Sequence, residues 1–236
     1  MGTSNDELLD ERLNVRIRRS IEEQRNNYRR AAQERSCWHC PRLDYNRFFQ
    51  VLRAAALSAM AKRGANGEFI VDDNNRELIH QMWLYVQGSD ECRWDIHKGI
   101  YLGGKIGCGK TVLMTALCEV LHLVSGKIIT ILPANQLYKA IRDNGMARYV
   151  TCPLFIDELG REQAEVNDFG NRIRPFNQLI EMRYEAGART FFTSNFSMET
   201  LSKDANGYGE YINERVQEMT NMVVLPGVSR RKKWEK

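Results

Sequence analysis

From residue 99 onward, the apolar positions of the chain follow two periodicities in alternation. Short, nearly continuous apolar runs are typical of buried strands, and longer segments with apolar residues on one face are typical of helices. The runs predicted to be strands cover 99–102, 127–132, 149–156, 190–193 and 222–225. The helices predicted between them cover 111–121, 134–143, 175–185 and 211–219. Strands that are apolar throughout and alternate with helices predict an α/β fold in which helices cover both faces of a parallel sheet.

The first 68 residues follow a different pattern, and we predict that 1–68 is a small helical N-terminal region. Residues 4–36 carry charges of both signs and have one narrow apolar face. That face is formed by Leu9, Leu13, Ile17, Ile21 and Tyr28. This helix either packs back on its own domain or docks a partner protein, and the sequence favours neither. A second helical segment covers 45–62.

The segment between the first predicted strand and its helix carries a motif with a defined chemistry. Residues 104–111 read GKIGCGKT, which fits the phosphate-loop pattern G-x-x-x-x-G-K-[ST]. Glycines let main-chain N–H groups turn toward an anion, and the helix that follows adds the positive end of its dipole. The candidate nucleotide ligands are Gly104, Lys105, Ile106, Gly107, Cys108, Gly109, Lys110 and Thr111.

Two of these side chains have particular roles in such a loop. Lys110 would reach the β- and γ-phosphates and act in catalysis, and the Thr111 hydroxyl would ligate Mg²⁺. With a strand before the loop and a helix after it, a chance match is improbable. The sequence therefore predicts a protein that binds ATP or GTP together with magnesium.

The strand predicted up to Ile156 ends in two carboxylates. Asp157 would bind Mg²⁺ through its water shell, and Glu158 would polarise the attacking water. Small-molecule kinases have less need of such a base, because their nucleophile arrives with the substrate. The acidic pair therefore favours nucleotide hydrolysis over phosphoryl transfer to a small molecule.

Two polar residues further along the chain complete the candidate catalytic set. Asn195 follows the next strand, where its amide could hold the lytic water or sense the γ-phosphate. Arg215 is a candidate arginine finger, an element that accelerates phosphoryl transfer by about 10³–10⁵-fold in other nucleotidases. Taken singly, a loop asparagine or a helical arginine is ordinary surface chemistry.

In their order along the chain, these motifs resemble the DnaC/IstB branch of the AAA+ ATPases, from residue 69 to 231. The motifs are the phosphate loop, LFIDELGRE at 154–162, RYE at 183–185, TSN at 193–195, YG at 208–209 and GVSRR at 227–231. The resemblance implies that Asn195 is the sensor-1 residue and that Arg215 is a finger acting on a neighbouring subunit. It also matches Arg231 to a nucleotide-sensing arginine and Arg183 to an R-Y pair of undefined role.

The resemblance also implies a fold and several partners. Residues 69–236 would form an AAA+ ATPase domain without a C-terminal helical lid. Subunits would assemble into a ring or spiral with ATP at each seam, because head-to-tail contacts are heterologous. Members of this branch bind single-stranded DNA, so the resemblance implies that this protein does too. The expected preference for adenine over guanine nucleotides also rests on the resemblance. The first 68 residues match no loader N-domain, and Cys108 stands where Ser, Thr or Val is more usual.

Three functions from different classes fit this set of motifs. The leading one is an ATP-dependent helicase loader in DNA replication, which binds single-stranded DNA and delivers a replicative helicase. The second is a transposition helper ATPase that acts with a transposase on DNA. The third is a nucleotide-switched adaptor that hydrolyses little and recruits a partner in its bound state.

Composition narrows the setting in which the protein acts. The 236 residues suffice for one α/β domain with an appendage, and the formal net charge of +4 permits contact with nucleic acid. Lys139, Arg142 and Arg148 are candidate phosphate contacts. No apolar run reaches membrane-spanning length and the N-terminus is charged, so we expect a cytoplasmic protein without a membrane partner.

The six cysteines are scattered, as is typical of reduced thiols. Cys37 and Cys40 form a C-x-x-C pair, a spacing that occurs in zinc sites. A second ligand pair at a suitable spacing is missing from the sequence. We therefore favour a small packed turn over a zinc site.

Overall fold

The computed structural model describes most of the chain. It covers residues 13–24, 38–65, 67–162, 165–168, 171–203 and 208–230. Residues 13–24 are helical (α1), with side chains exposed throughout. The rest of the predicted first helix, including Leu9 and Tyr28, lies outside the described residues. No helix of the described part is long and apolar enough to cross a membrane.

Helices and strands alternate from residue 99, as the apolar pattern predicts. The further helices are α2 (Tyr45–Ala61), α3 (Arg76–Gln87), α4 (Lys110–Ser125), α5 (Leu137–Asn144), α6 (Ala147–Val150), α7 (Pro175–Glu185), α8 (Met198–Ser202) and α9 (Gly209–Met219). The strands are β1 (Gly99–Gly104), β2 (Thr130–Pro133), β3 (Leu154–Leu159), β4 (Val166–Asp168), β5 (Asn171–Ile173), β6 (Thr190–Ser194) and β7 (Thr220–Leu225).

Five strands form one parallel sheet in the order β2–β3–β6–β1–β7. This confirms the predicted α/β fold with a parallel sheet. In this order β6 lies between β1 and β3, so the carboxyl ends of these three strands are neighbours. The phosphate loop follows β1 and the acidic pair lies near the end of β3. The strand order therefore brings distant sequence motifs to one edge of the sheet.

Helices cover both faces of the sheet, because successive side chains of a strand point to opposite sides. On β1, Ile100 and Leu102 pack into the core that includes α2, α3 and α4. Tyr101 packs into the opposite core, with α7 and α9. Both cores contain fully buried phenylalanines, such as Phe155 in the first and Phe192 in the second.

The segment before the α/β region is part of the same packed structure. In α2, Phe48, Leu52 and Ala56 are fully buried and belong to the core that α4 contributes to. Asp44 begins the helix by accepting a hydrogen bond from the Arg47 N–H, as N-cap residues do. The helix that leaves the phosphate loop thus packs against α2. The domain boundary after residue 68 stays a prediction.

One strand begins later than the sequence predicts, and a buried arginine explains the difference. The strand predicted from Tyr149 begins at Leu154, and Ala147–Val150 form the short helix α6 instead. Arg183 donates hydrogen bonds to the carbonyl groups of Tyr149, Val150 and Cys152, so these groups do not pair with a neighbouring strand. A local apolar pattern carries no information on hydrogen bonds from a distant residue, so it cannot predict this change.

Smaller differences occur elsewhere. Strand β2 begins at Thr130 rather than Lys127, and the hairpin of β4 and β5 was not predicted.

In the N-terminal turn, the Cys40 N–H donates to the Val86 carbonyl, and Cys40 is a free thiol. Cys37 lies outside the described residues. Among the residues described, no group of three or more His, Cys, Asp or Glu side chains is arranged to hold a metal.

Candidate nucleotide site

The phosphate loop connects the carboxyl end of β1 to the first turn of α4. Gly104 has a φ of 153°, and a Cβ there would lie 2.6 Å from the Leu225 carbonyl oxygen. Gly107 has a φ of 81°, and a Cβ there would lie 2.3 Å from the Ser229 hydroxyl oxygen. Both positions require glycine, for backbone conformation and for space. The glycines of the motif therefore fix the path of the loop.

Lys110 is the first residue of α4 and is largely buried beside the loop. Its Nζ donates to the carbonyl oxygens of Gly104 and Lys105, at 2.7 and 2.8 Å. It also donates to Asn195 Oδ1 at 2.7 Å. Burial lowers the pKa of Lys110, and the negative charges of Asp157 and Glu158 partly oppose that shift. The ammonium thus bridges the phosphate loop and the end of β6.

Asp157 is the most connected carboxylate of the site. Its Oδ1 accepts from the Thr111 hydroxyl at 2.8 Å and from the Thr193 hydroxyl at 2.5 Å. Only 7% of the residue is exposed. The sequence predicted Thr111 and Asp157 to act together on magnesium, and the structure places their oxygens in contact. Thr193 belongs to the TSN motif, but nothing in the sequence indicates its contact with Asp157.

Glu158 has a strained backbone conformation. Its φ of 61° is unusual for a residue other than glycine, and such strain is often found at functional sites. The pairing of β3 with β6 changes register between Ile156 and Leu159, so Glu158 lies in an irregular part of the strand. Its N–H donates to the Thr193 hydroxyl at 3.0 Å. Its carboxylate forms an ion pair with Arg161 at 2.9 Å.

A basic residue from the N-terminal region also reaches the site. The Arg63 Nη2 lies 3.3 Å from Asp157 Oδ2, the oxygen on the side away from the two threonine contacts. Arg63 follows directly after the C-cap of α2. No motif marks this residue, and the sequence analysis missed it. The only sequence signal is a basic residue just beyond a helix end, which is a common feature of helices.

The chain returns to the phosphate loop after β7. The Arg230 N–H donates to the Gly107 carbonyl at 2.8 Å, and the Arg230 Nε donates to the Cys108 carbonyl at 3.1 Å. The same guanidinium forms two hydrogen bonds to Asp72, at 2.9 and 2.8 Å. Arg230 therefore ties the loop to the segment that precedes α3. Arg231, the predicted sensing residue, lies outside the described residues.

Arg215 has contacts of a different kind. Its guanidinium carbon lies 4.1 Å from the ring centre of Tyr184 and 4.7 Å from that of Tyr211. It also pairs with Glu218 at 3.0 Å. None of the contacts described for Arg215 involves Lys110 or Asp157. The predicted finger is thus held between two aromatic rings, and its role in trans stays a prediction.

The structure assigns a place to Arg183 of the R-Y pair. Arg183 is fully buried and donates to the Thr190 hydroxyl and to the Arg189 carbonyl, besides the three carbonyls already described. Burial lowers its pKa to about 10, so the group remains protonated at neutral pH. It touches no nucleotide-site residue in the described part of the chain. Arg183 is structural, whereas Tyr184 contacts the candidate finger.

The residues present fit a magnesium nucleotide. Hard oxygen ligands suit Mg²⁺, and Asp157 and the Thr111 hydroxyl supply them at the start of a helix. The Lys110 ammonium, held here by main-chain carbonyls and an amide, can exchange these partners for phosphate oxygens. Glycines 104 and 107 leave the loop backbone free to face an anion. Thr111 and Asp157 would hold the metal, and the eight loop residues would hold the phosphates.

A parallel sheet with a phosphate loop after one strand and an acidic pair on another defines the class of P-loop nucleotidase folds. Comparison with solved structures narrows the class. The chain is similar to DnaI (TM-score 0.53, 22% identity, 84% of this chain and 100% of that one). It is also similar to a DnaC helicase loader (TM-score 0.53, 20% identity, 68% and 95%). A candidate primosome component from Streptococcus pyogenes serotype M3 is a third neighbour (TM-score 0.53, 21% identity, 69% and 85%).

These likenesses concern the fold. At 20–22% identity they show that the chain shares the fold of DnaI and of the DnaC helicase loader, which confirms the predicted fold class. No family model matches the chain, and no curated protein matches it. A shared fold does not by itself determine an activity, which depends on the residues of the site.

Proposed function

We propose that this protein is an ATP-dependent helicase loader of DNA replication. It would act in the cytoplasm, bind ATP with magnesium, bind single-stranded DNA and deliver a replicative helicase. One observation carries the proposal: the hydrogen-bonded pairs Lys110–Asn195 and Thr111–Asp157 lie within a fold shared with a DnaC helicase loader. The residues of the site support the binding and hydrolysis of ATP. The structural neighbours support a role in helicase loading.

The chemistry follows from the positions of the side chains. Magnesium, when bound, neutralises charge on the phosphates. Lys110 would hold the β- and γ-phosphate oxygens after leaving the carbonyls of the loop. Glu158 would accept the proton of the attacking water, and Asn195, at the end of the neighbouring strand, would orient that water. Each of these groups lies on or beside β1, β3 and β6.

Arg215 would complete the site of a neighbouring subunit. A finger that acts in trans places each nucleotide at a subunit seam, and head-to-tail seams build rings or spirals. The contacts with the rings of Tyr184 and Tyr211 would restrict the guanidinium, which reduces the entropy lost when it meets a phosphate. We therefore expect ATP to promote assembly of the protein.

Contacts to DNA and to the helicase would use other surfaces. Lys139, Arg142 and Arg148 are exposed on α5 and α6, which is compatible with contact to a phosphate backbone. Residues 1–68 would dock the helicase. Of their predicted apolar face, Leu13, Ile17 and Ile21 are about half exposed on α1, at 49%, 54% and 58%.

A specific observation favours an alternative candidate, a nucleotide-switched adaptor with little hydrolysis. Glu158 is paired with Arg161 at 2.9 Å, and this ion pair competes with the base function of the carboxylate. A protein in which this pair persisted with ATP bound would turn over slowly. The two candidates share the same nucleotide site and differ in the rate of the chemical step.

Two measurements test the proposal. ATP turnover by the purified protein should rise when single-stranded DNA is added. Glu158→Gln should abolish this turnover while nucleotide binding persists, and Glu185→Gln, an exposed residue on α7, should behave as wild type. A rate of ATP turnover that changes neither with added DNA nor with Glu158→Gln would support the adaptor and contradict the loader.

Capture of partners from a lysate of the producing cells identifies the biological context. A hexameric helicase retained in the presence of ATP supports the loader. A transposase retained instead would contradict it and support the transposition helper of the IstB type. The capture should weaken when residues 1–37 are removed, because the predicted docking helix lies there.

A further inference from the structure

The guanidinium of Arg63 occupies one side of the carboxylate that would hold magnesium. Asp157 Oδ1 is taken by two hydroxyl donors, and Oδ2 faces Arg63 at 3.3 Å. The carboxylate is 9% exposed and the Arg63 side chain 51%. A nearly buried carboxylate is thus neutralised by a cation that stays in contact with solvent and can withdraw at low cost.

The backbone that presents Arg63 is well defined. Its N–H donates to the Met60 carbonyl at 3.0 Å, and the N–H groups of Gly64 and Ala65 donate to Ala61 and Met60. This turn closes α2, whose buried face packs against α4. Since Thr111 in the first turn of α4 also contacts Asp157, the end of α2 lies beside the start of α4.

We propose that Arg63 is a cation within the same subunit that competes with magnesium for Asp157. Without nucleotide, Arg63 neutralises the carboxylate and holds the end of α2 at the site. When Asp157 takes magnesium with ATP, two cations on one carboxylate repel each other, and Arg63 withdraws. The state of the nucleotide is thereby transmitted to α2, a helix of the predicted N-terminal region that packs against α4. This inference rests on the proposed function, because it assumes that the site binds magnesium and ATP.

The test is the magnesium dependence of nucleotide binding, measured with a fluorescent N-methylanthraniloyl-ATP. Arg63→Gln removes the competing cation, so half-maximal binding should require less magnesium, by about fivefold for a half-exposed charge pair. Lys62→Gln makes the same charge change at the adjacent exposed residue and should shift the midpoint less than twofold. Arg63→Lys retains the charge and should lie between wild type and Arg63→Gln.

Two results would overturn the inference. Equal shifts for Arg63→Gln and Lys62→Gln would mean that only net charge matters. A higher magnesium requirement in Arg63→Gln would mean that Arg63 assists binding rather than competes with it. If wild type itself shows no magnesium-dependent affinity for ATP, the proposed function fails first, and this outcome is distinct from either of the two.

A direct readout of the side chain complements the binding data. In ¹⁵N-labelled protein, the Arg63 Nε–H resonance can be assigned by its loss in Arg63→Lys. Magnesium with ATP should move this resonance toward the position of solvent-exposed arginines, and ATP with EDTA should move it less. A resonance that stays at its nucleotide-free position with magnesium and ATP bound would contradict the withdrawal of Arg63.

Discussion

At the scale of single residues, a few hydroxyl and charged groups determine how the acidic pair is held. Thr193 is buried at the end of β6 and serves both members of the pair. It donates to the Asp157 carboxylate and accepts from the Glu158 N–H. The second bond satisfies a main-chain donor where the strand pairing is irregular. One hydroxyl thus supports both the proposed magnesium ligand and the proposed catalytic base.

Thr193→Val should destabilise the protein and impair ATP turnover. The change leaves the Glu158 N–H without its acceptor, and an unpaired buried donor costs about 1–3 kcal/mol. Urea unfolding measured by circular dichroism gives the free energy of unfolding. Thr193→Ser keeps the hydroxyl and is the matched control. A valine variant as stable as wild type would show that the hydroxyl has no such role.

Arg161→Ala should raise the basal rate of ATP hydrolysis. The change releases Glu158 from its ion pair, so that the carboxylate is available to the attacking water. Steady-state phosphate release should increase by about threefold to tenfold, since partly exposed ion pairs are worth around 1 kcal/mol. Arg174→Ala, which removes the exposed ion pair with Glu165, is the control and should leave the rate unchanged. A lower rate in Arg161→Ala would mean that Arg161 orients the base instead of restraining it.

At the scale of elements, Arg183 on α7 sets where β3 begins. Its guanidinium is fully buried and bonds four main-chain carbonyls from the segments before β3 and β6. The acidic pair lies three and four residues after that start. The position of β3 along its neighbours therefore depends on one side chain from a helix that lies later in the sequence.

Arg183→Met should lower the free energy of unfolding by about 3 kcal/mol or more, because several buried carbonyls lose their donor together. Urea denaturation of the nucleotide-free protein measures this loss. Glu181→Met, at an exposed position of the same helix, should change stability by less than about 0.5 kcal/mol. Equal stability of the two variants would contradict the assigned role.

At the scale of the whole molecule, the candidate finger and the phosphate loop make separate sets of contacts within one chain. Lys110 bonds the loop and Asn195, while Arg215 lies between the rings of Tyr184 and Tyr211. A finger that serves its own subunit would face its own loop. The described contacts of Arg215 are instead with α7 and α9, which agrees with action on a neighbouring subunit.

Mixing Arg215→Ala protein with Lys110→Ala protein should restore part of the ATP turnover that each variant lacks. At a hybrid seam, an intact loop from one subunit meets an intact arginine from the other. Light scattering should show larger assemblies with ATP and magnesium than with ADP. The absence of rescue, together with a monomeric ATP-bound protein, would contradict a shared site.

Local patterns in the sequence were sufficient for the parts of the protein that depend on near neighbours. The phosphate-loop motif has a fixed spacing because its glycines and its lysine would act on one anion. Buried strands are predicted from continuous apolar runs. Asp157 and Asn195 were located by the same logic, since residues at the carboxyl ends of adjacent parallel strands meet at one edge. The alternation of elements was likewise enough to predict a parallel sheet.

Only the tertiary structure determined the contacts that join distant segments. Arg63 lies outside every motif, and the motifs that contain Arg183 and Arg230 do not indicate which groups these two side chains contact. The partners of the three arginines lie 94, 34 and 158 residues away in the cited contacts. A charged side chain on a helix is usually solvated. The sequence around such a side chain does not distinguish it from one that contacts a buried carboxylate or carbonyl group. Chain packing decides which arginines find a buried carboxylate or a set of carbonyls, and that information is spread over the whole fold.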